Sequence, residues 1–419
     1  IGIWGMKKTS SLNDFFLGGR TIGPWVSAIA YGTSYFSAVL FIGFAGKLGW
    51  AFGLEVLWIS LGNAFLGSFL AWMVLGKRTR RMTQNLEVMT MPEFLQERFE
   101  AKKIKMFAAV VIFLFLLPYS ASVFKGLGHL FEINFSISYD LALLIMIAIT
   151  GIYLILGGYF AITLTDFIQG LIMIIGSIAM VAVLIGEGGG LSKVIHEINT
   201  NYATHMPKAG GTGHYIMLFS LIFMTSFGVW GLPQMVQKFY AIKNETLITK
   251  AAGATMIFAL IIVTAAYFNG AMAHIFLDGL PMSEGKPAFD RIVPDLLKLH
   301  LPEALMALIL LLVLSASMST LSSLVLVSSS SVAIDMYKGH INPNITKENS
   351  LAMMRFLSGL FILLSYFIAR YEFAIIVTLM SLSWGAVAGT FMAVYVYALY
   401  WRKTTLAGVY AGMITGLGL

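Results

Sequence analysis

Gly32-Thr33-Ser34-Tyr35-Phe36-Ser37 and Thr225-Ser226-Phe227-Gly228-Val229-Trp230-Gly231-Leu232-Pro233 are the two stretches on which the fold turns. Each lies within an apolar run long enough to cross a bilayer, which takes about 20 residues. Gly and Pro interrupt the helical hydrogen-bond ladder, so each run reads as a helix broken in the bilayer, with freed carbonyl and N–H groups available to a ligand. The competing reading is that these are small packing residues of the kind common in membrane helices. Position favours the break. Apolar runs fall near 24–46, 52–76, 106–131, 138–157, 161–186, 215–236, 251–276, 304–334, 351–369 and 373–401, so the interrupted runs are the first and the sixth. If the chain is two inverted five-helix halves, 24–186 and 215–401, the two interruptions occupy matching places, which is how secondary transporters build a midplane site. An eleventh run, 406–419, reads as the start of a truncated further helix, and Ile1–Gly5 as the tail of an earlier one.

Composition agrees. The 419 residues are 58% hydrophobic and 11% charged, with a mean hydropathy of +0.84, against roughly 25% charged for a soluble domain. The expectation is an all-α integral membrane protein, a single transport domain over 1–419, because only helices and closed barrels satisfy their backbone in lipid and no ten-residue alternating strands occur. With no cysteine among the residues, disulfides, thiolate metal sites and a cysteine nucleophile are excluded. Neither a P-loop, metal-spaced histidines nor a Gly-x-Ser-x-Gly elbow is present, so neither bound ATP nor hydrolysis is supported.

The net charge of +7 is a sidedness signal rather than a nucleic-acid footprint. Placed on alternating sides, most Lys and Arg residues gather on one, including Lys77, Arg78, Arg80, Arg81, Arg98, Lys102, Lys103 and Lys105. The other side holds Lys47, Lys193, Lys208, Lys286, Arg291, Lys298 and Arg370. By the positive-inside rule, the loops 77–105, 238–250 and 336–350 are cytoplasmic in a multi-pass protein of the cell inner (plasma) membrane. The outer connectors 187–214 and 277–303 are each expected to carry a short amphipathic helix, Leu191–Ile198 and Ala288–Leu299.

Polar groups at membrane depth usually mark a pathway. In the run 304–334, Ala316, Ser319, Thr320 and Ser323 recur at i, i+3, i+4 and i+7, one stripe of one helix. Hydroxyls with a carbonyl suit a small hard cation such as Na+, although Ser and Thr also bond back to their own helix. Asp166 is the lone formal charge between Asp140 and Glu187 and needs a cation or donors; Na+ binding, proton carriage and reach toward the interface all remain open. Lys125, with Glu55 in a neighbouring run, reads as a snorkelling structural residue, and His129 likewise.

Several strings resemble the sodium:solute symporter family: Asp14-Phe15-Phe16-Leu17-Gly18-Gly19-Arg20, Thr90-Met91-Pro92-Glu93-Phe94-Leu95 with Arg98-Phe99, Gly157-Gly158 with Thr165-Asp166-Phe167-Ile168-Gln169-Gly170, Ser319 to Ser323 leading to Asp335-Met336-Tyr337, and Leu399-Tyr400-Trp401-Arg402-Lys403-Thr404-Thr405. The resemblance implies a leucine-transporter-type inverted repeat, alternating access and Na+ coupling. It implies a main sodium site of the Thr33 and Phe36 backbone oxygens, the Ala316 carbonyl and the Ser319 and Thr320 hydroxyls. A second sodium site, where members have one, would use Asp166, Ser322 and Ser323.

For the solute, the sugar-type branch has polar residues where Val39 and Leu40 follow Ser37, and a gating tyrosine where Val229 stands. Gly231-Leu232-Pro233 with Lys238-Phe239-Tyr240-Ala241 resembles the proline, pantothenate and monocarboxylate branches, though Tyr35 stands where the proline branch has an aspartate. The expected partners are Na+ and a small carboxylate-bearing solute, the latter near Tyr35, Ser37, Ser60, Ser226, Trp230 and Ser383, in a lipid bilayer, with no nucleic acid and no obligate protein partner. The rival readings are a sodium-coupled sugar or sialic acid carrier, an H+-coupled carrier using Asp166, a membrane-embedded enzyme, and a sensor carrying a signalling module beyond residue 419.

Overall fold

The computed structural model describes residues 16–156, 159–207, 209–283 and 285–418. Ile1–Gly5, Asp14, Phe15, Gly157, Gly158 and Lys208 of the sequence reading lie outside them. Among the described residues 8 helices are long and apolar enough to cross a membrane, and shorter apolar helices add Tyr139–Ile152 and Leu406–Gly418.

Helix α1, Pro24–Tyr35, opens on a proline at its first turn, where the missing N–H costs nothing. It stops at Phe36, whose backbone is extended at φ −113° and ψ 107°. The chain winds again through the π-helical segment Val39–Phe44 into α2, Ala45–Phe52. Gly53, at φ 52°, ends α2 in a conformation that favours glycine. Helix α3, Leu57–Gly62, continues through π-helical turns to α4, Lys77–Asn85. Helix α5, Met91–Phe99, lies between α4 and the long α6, Lys102–Phe135. Its start is fixed by a capping box in which Thr90 and Glu93 satisfy each other's backbone N–H groups. Helices α7, Tyr139–Leu156, and α8, Tyr159–Glu187, follow.

The outer connector carries α9, Leu191–His205. Helix α10, Thr212–Phe227, gives way to one 3-10 turn, Gly228–Gly231. The extended Leu232 then leads into α11, Pro233–Ala241, again with proline in the first turn. Both interrupted runs are thus broken helices. Beyond them come α12, Ile248–Phe276, a small hairpin of β1, Met282–Ser283, with β2, Lys286–Pro287, and α13, Ile292–His300. Helix α14, Glu303–Ser330, runs on in π-helical form to Ile341. At 1.5 Å per residue the 39 residues of that rod measure about 58 Å. Helices α15, Lys347–Arg370, α16, Ile376–Tyr400, and α17, Leu406–Gly418, complete the order.

Two features lock the broken helices together. The strand-like residue Ile22 before α1 bonds to the end of α11, accepting from the Lys243 N–H at 2.9 Å and donating to the Ala241 carbonyl at 3.4 Å. Arg80 donates to the Ile242 carbonyl at 2.6 Å and to the Lys243 carbonyl at 3.0 Å. At Gly170 a Cβ would overlap Ile29 and crowd Thr33, so glycine allows α8 to lie directly on α1. Asp166, one turn earlier on the same face, is thereby delivered to the break. The boundary read at residue 238 differs from the structure: Lys238 to Ala241 belong to α11 and are buried, because the half-helix after the break extends past the end of the apolar run.

Candidate functional site

The stripe of α14 faces the break in α1. The Thr33 carbonyl accepts the Ser319 hydroxyl at 3.0 Å and the Thr320 hydroxyl at 3.1 Å. The same hydroxyls donate to the Ala316 carbonyl at 3.0 and 3.1 Å, and Thr320 also reaches the Ser34 carbonyl at 3.4 Å. All of these residues are buried. Hydroxyls bonding back to their own helix and hydroxyls facing a neighbouring carbonyl are therefore both present, in one bifurcated arrangement. The result is a cluster of neutral oxygens with no formal charge. Its two carbonyls point negative ends at shared partners, and an alkali cation would satisfy them together. Phe36 sits three residues further on, at the break itself. Next along, the Ala38 N–H donates to Ser317 Oγ at 3.3 Å, which ties the unwound segment to α14.

One turn past Thr320 the chemistry changes. Ser323 Oγ lies 2.9 Å from Ser34 Oγ and accepts from Lys238 Nζ at 3.2 Å. Lys238 Nζ is 3.5 Å from Asp166 Oδ2, with both side chains almost wholly buried, at 1% and 0% exposure. Ser322 turns away and donates to the Ser319 carbonyl at 2.8 Å. Asp166 thus has its cation, and that cation is a side chain. The sequence signal for Lys238 was the positive charge itself, which was counted with the loop charges because it falls just past an apolar run.

A cavity of about 20 Å³ sits at the break, lined by Tyr35, Phe36, Ser37, Val39, Leu40, Phe44, Asn63, Thr225, Tyr267, Met380 and Trp384. That is room for about one water. Of the expected solute contacts, Tyr35 and Ser37 line it. The Tyr35 hydroxyl donates to the Thr225 carbonyl, and its ring packs on Phe36 at 4.2 Å and on Trp384 at 5.9 Å. Ser226 is one step behind, donating to Asn63 Oδ1 at 3.2 Å. Trp230 is turned away, its indole N–H on the Leu66 carbonyl at 3.1 Å. Ser60 and Ser383 are buried outside the cavity wall, with hydroxyls lacking a partner. Trp384 was missed, although its buried indole N–H has no partner and borders the cavity. Asn63 was missed as well, and an amide within an apolar run is a readable signal.

Lys125, read as snorkelling, is instead clamped near the outer end of α6. Its ammonium lies 3.2 Å from Asp290 Oδ2 and 3.2 Å from Glu372 Oε1, and donates to the Ala374 carbonyl at 3.0 Å. His129 joins Glu132 and Glu372 at 3.2 and 3.1 Å. Glu55 pairs with His214 at 2.7 Å, not with Lys125. Burial pushes the Glu372 carboxyl up, but the His129 and Lys125 contacts outweigh it and hold the group at about 2.

Residues 15–416 match the sodium:solute symporter family. The chain belongs to that family. It is 28% identical over 99% of its length, and 84% of the relative's, to the osmoregulated proline transporter OpuE of Bacillus subtilis. It is 30% identical over 99% of its length, and 81% of the relative's, to sodium/proline symporter 2 of Staphylococcus saprophyticus. Among solved structures it superimposes with a TM-score of 0.82, at 17% identity, on a Na+-coupled sialic acid symporter in a substrate-bound outward-open state, covering 99% of this chain and 87% of that one. A TM-score of 0.59 at 12% identity relates it to MhsT in complex with L-phenylalanine, covering 94% of this chain and 96% of that one. These likenesses bear out the helical membrane fold of leucine-transporter type and exclude the enzyme reading. The family carries Na+-coupled symport of a small solute.

Proposed function

We propose that the chain carries a small carboxylate-bearing solute into the cell with Na+ bound by the Thr33 and Phe36 carbonyls, the Ala316 carbonyl and the Ser319 and Thr320 hydroxyls. The observation that carries the sodium assignment is the convergence of two buried hydroxyls on carbonyls from two different helices, one of them broken. An ion there joins α14 to α1 and so favours the arrangement in which the two are in register. A ligand shifts a conformational equilibrium only through such a difference in affinity. Each positive charge moved through 100 mV supplies about 2.3 kcal/mol, near 1.6 decades of accumulation.

The solute binds where the cavity now holds only a water's volume, by parting Tyr35 and Phe36 from Trp384. The unpartnered Trp384 N–H then donates to its carboxylate, while the surrounding aromatic rings accept a compact apolar body. Relatives named as proline transporters support this class. The halves 24–186 and 215–401 rock about this site, with 77–105, the segment after α11 and 336–350 on the cytoplasmic side of the plasma membrane.

The test is uptake into proteoliposomes of radiolabelled proline, pantothenate, a short monocarboxylate, sialic acid and glucose, with Na+ or choline outside at fixed pH. Uptake of one of the first three that requires Na+ supports the reading. Uptake sustained in choline assigns the driving force to protons, and uptake confined to glucose or sialic acid moves the chain to another solute class.

A further inference from the structure

The sodium reading above provides a frame in which Lys238 has a specific consequence. Four helices meet at its ammonium: α11 supplies Lys238 itself, α8 brings Asp166 to 3.5 Å, α14 brings Ser323 Oγ to 3.2 Å, and α1 reaches the same point through Ser34, whose hydroxyl is 2.9 Å from that of Ser323. Asp166 and Ser323 are two of the three residues that the family pattern offers to a second sodium ion. The third, Ser322, is occupied with the Ser319 carbonyl. The residues present therefore do not fit an added ion. A buried carboxylate beside a buried ammonium is already neutral, whereas a sodium ion placed with them would leave a net positive charge away from water and within a few ångströms of a like charge. Buried charge is tolerated only when compensated.

We infer that Lys238 is a tethered second cation: its ammonium takes the place between Asp166 and Ser323, and the chain binds a single Na+ at the neutral cage. The positive charge at this station is fixed to the half-helix after the break, so it is never exchanged with either side of the membrane. The main cage, one turn away along the same stripe, has no such resident and takes its charge from solution. Electrical driving force is then that of one ion per solute.

The experiment counts sodium directly. Purified full-length chain in detergent is titrated with 22Na+ alone in a scintillation-proximity format, giving saturable sites per chain. The wild type is expected to bind one. Lys238→Met, which keeps the stem and removes the charge, opens the second station and is expected to bind two. Lys238→Arg, and the pair Lys238→Met with Asp166→Asn, are expected to bind one. Two saturable sites in the wild type overturn the inference whether or not any variant folds. So does a single site in a folded Lys238→Met protein, since the station is then no cation site at all. No 22Na+ bound by any of the proteins overturns the sodium reading itself and the inference with it.

Discussion

Two stations on one stripe of α14 handle positive charge in opposite ways. At Ser319 and Thr320 every contributing oxygen is neutral, and the carbonyls of Thr33 and Ala316 are shared by two hydroxyls that can turn either way. At Ser323, one turn on, a full carboxylate and a full ammonium face each other with almost no exposure. The first station is incomplete without a guest, and the second is complete in the chain. The lesson is that hydroxyl-rich sequence alone does not mark an ion site; what decides it is whether the neighbouring helices bring their own charge.

The most severe way to break this contrast is Asp166→Asn, which strands the Lys238 charge in the interior. Losing one partner of a buried pair costs about 3–5 kcal/mol, so a large drop in thermal stability in detergent is expected, while Lys238→Met in the same chain restores much of it. A stability unchanged by Asp166→Asn alone would show that the pair is not a compensated unit. Next in size, Ser319→Ala with Thr320→Ala removes two oxygens from the cage. At about 1–1.5 kcal/mol for each lost contact, the Na+ concentration for half-maximal binding should rise by roughly two decades. Unaltered sodium affinity in that folded variant would reduce the hydroxyls to helix glue.

Two weaker tests carry the contrast to the solvent-facing rim. Glu372 is ionised more readily in the folded chain than the ordinary 4.5, with its carboxyl at about 2. Its contribution is complete above about pH 4.5 and disappears as the pH falls through 2. Because the side chain is 41% exposed, water screening keeps this to about 1 kcal/mol or less. Glu372→Gln should flatten the acid limb of a stability–pH profile, and an unchanged limb would remove Glu372 from the outer clamp. Smallest is Arg81→Ala: the exposed pair with Glu245 at 2.9 Å is worth about 0.2–1 kcal/mol, a difference that guanidinium-free thermal melts at low and high salt should just resolve.

Much of the architecture was readable because lipid imposes a length and a periodicity. The runs 251–276 and 351–369 fall inside α12 and α15, and the Gly and Pro residues at 228–233 sit where α10 gives way to α11. The stripe at 316, 319, 320 and 323 was readable for the same reason, since the helical repeat alone puts those residues on one face. What could not be read were contacts between distant helices. Lys238 looked like one more basic residue at a helix end, and only the packing of α8 on α1 through Gly170 shows that Asp166 lies beside it. Trp384 hid among the eight tryptophans, because an indole's missing hydrogen bond is a property of its neighbours. Ser60 and Ser383 were chosen for polarity, and burial without a cavity defeated the choice.

The capping box at the start of α5 has a mechanical consequence. The Thr90 hydroxyl that receives the Glu93 N–H at 3.1 Å also donates to Asp335 at 2.7 Å, and Lys105 spans Glu93 and Asp335 at 3.5 and 3.7 Å. Asp335 belongs to the same continuous rod as Ser319, sixteen residues nearer its far end. A stiff rod pinned at its rim and gripped at its waist behaves as a lever, so a nudge of the waist is handed to the elbow formed by α5 and the foot of α6 without any relay of side-chain rearrangements.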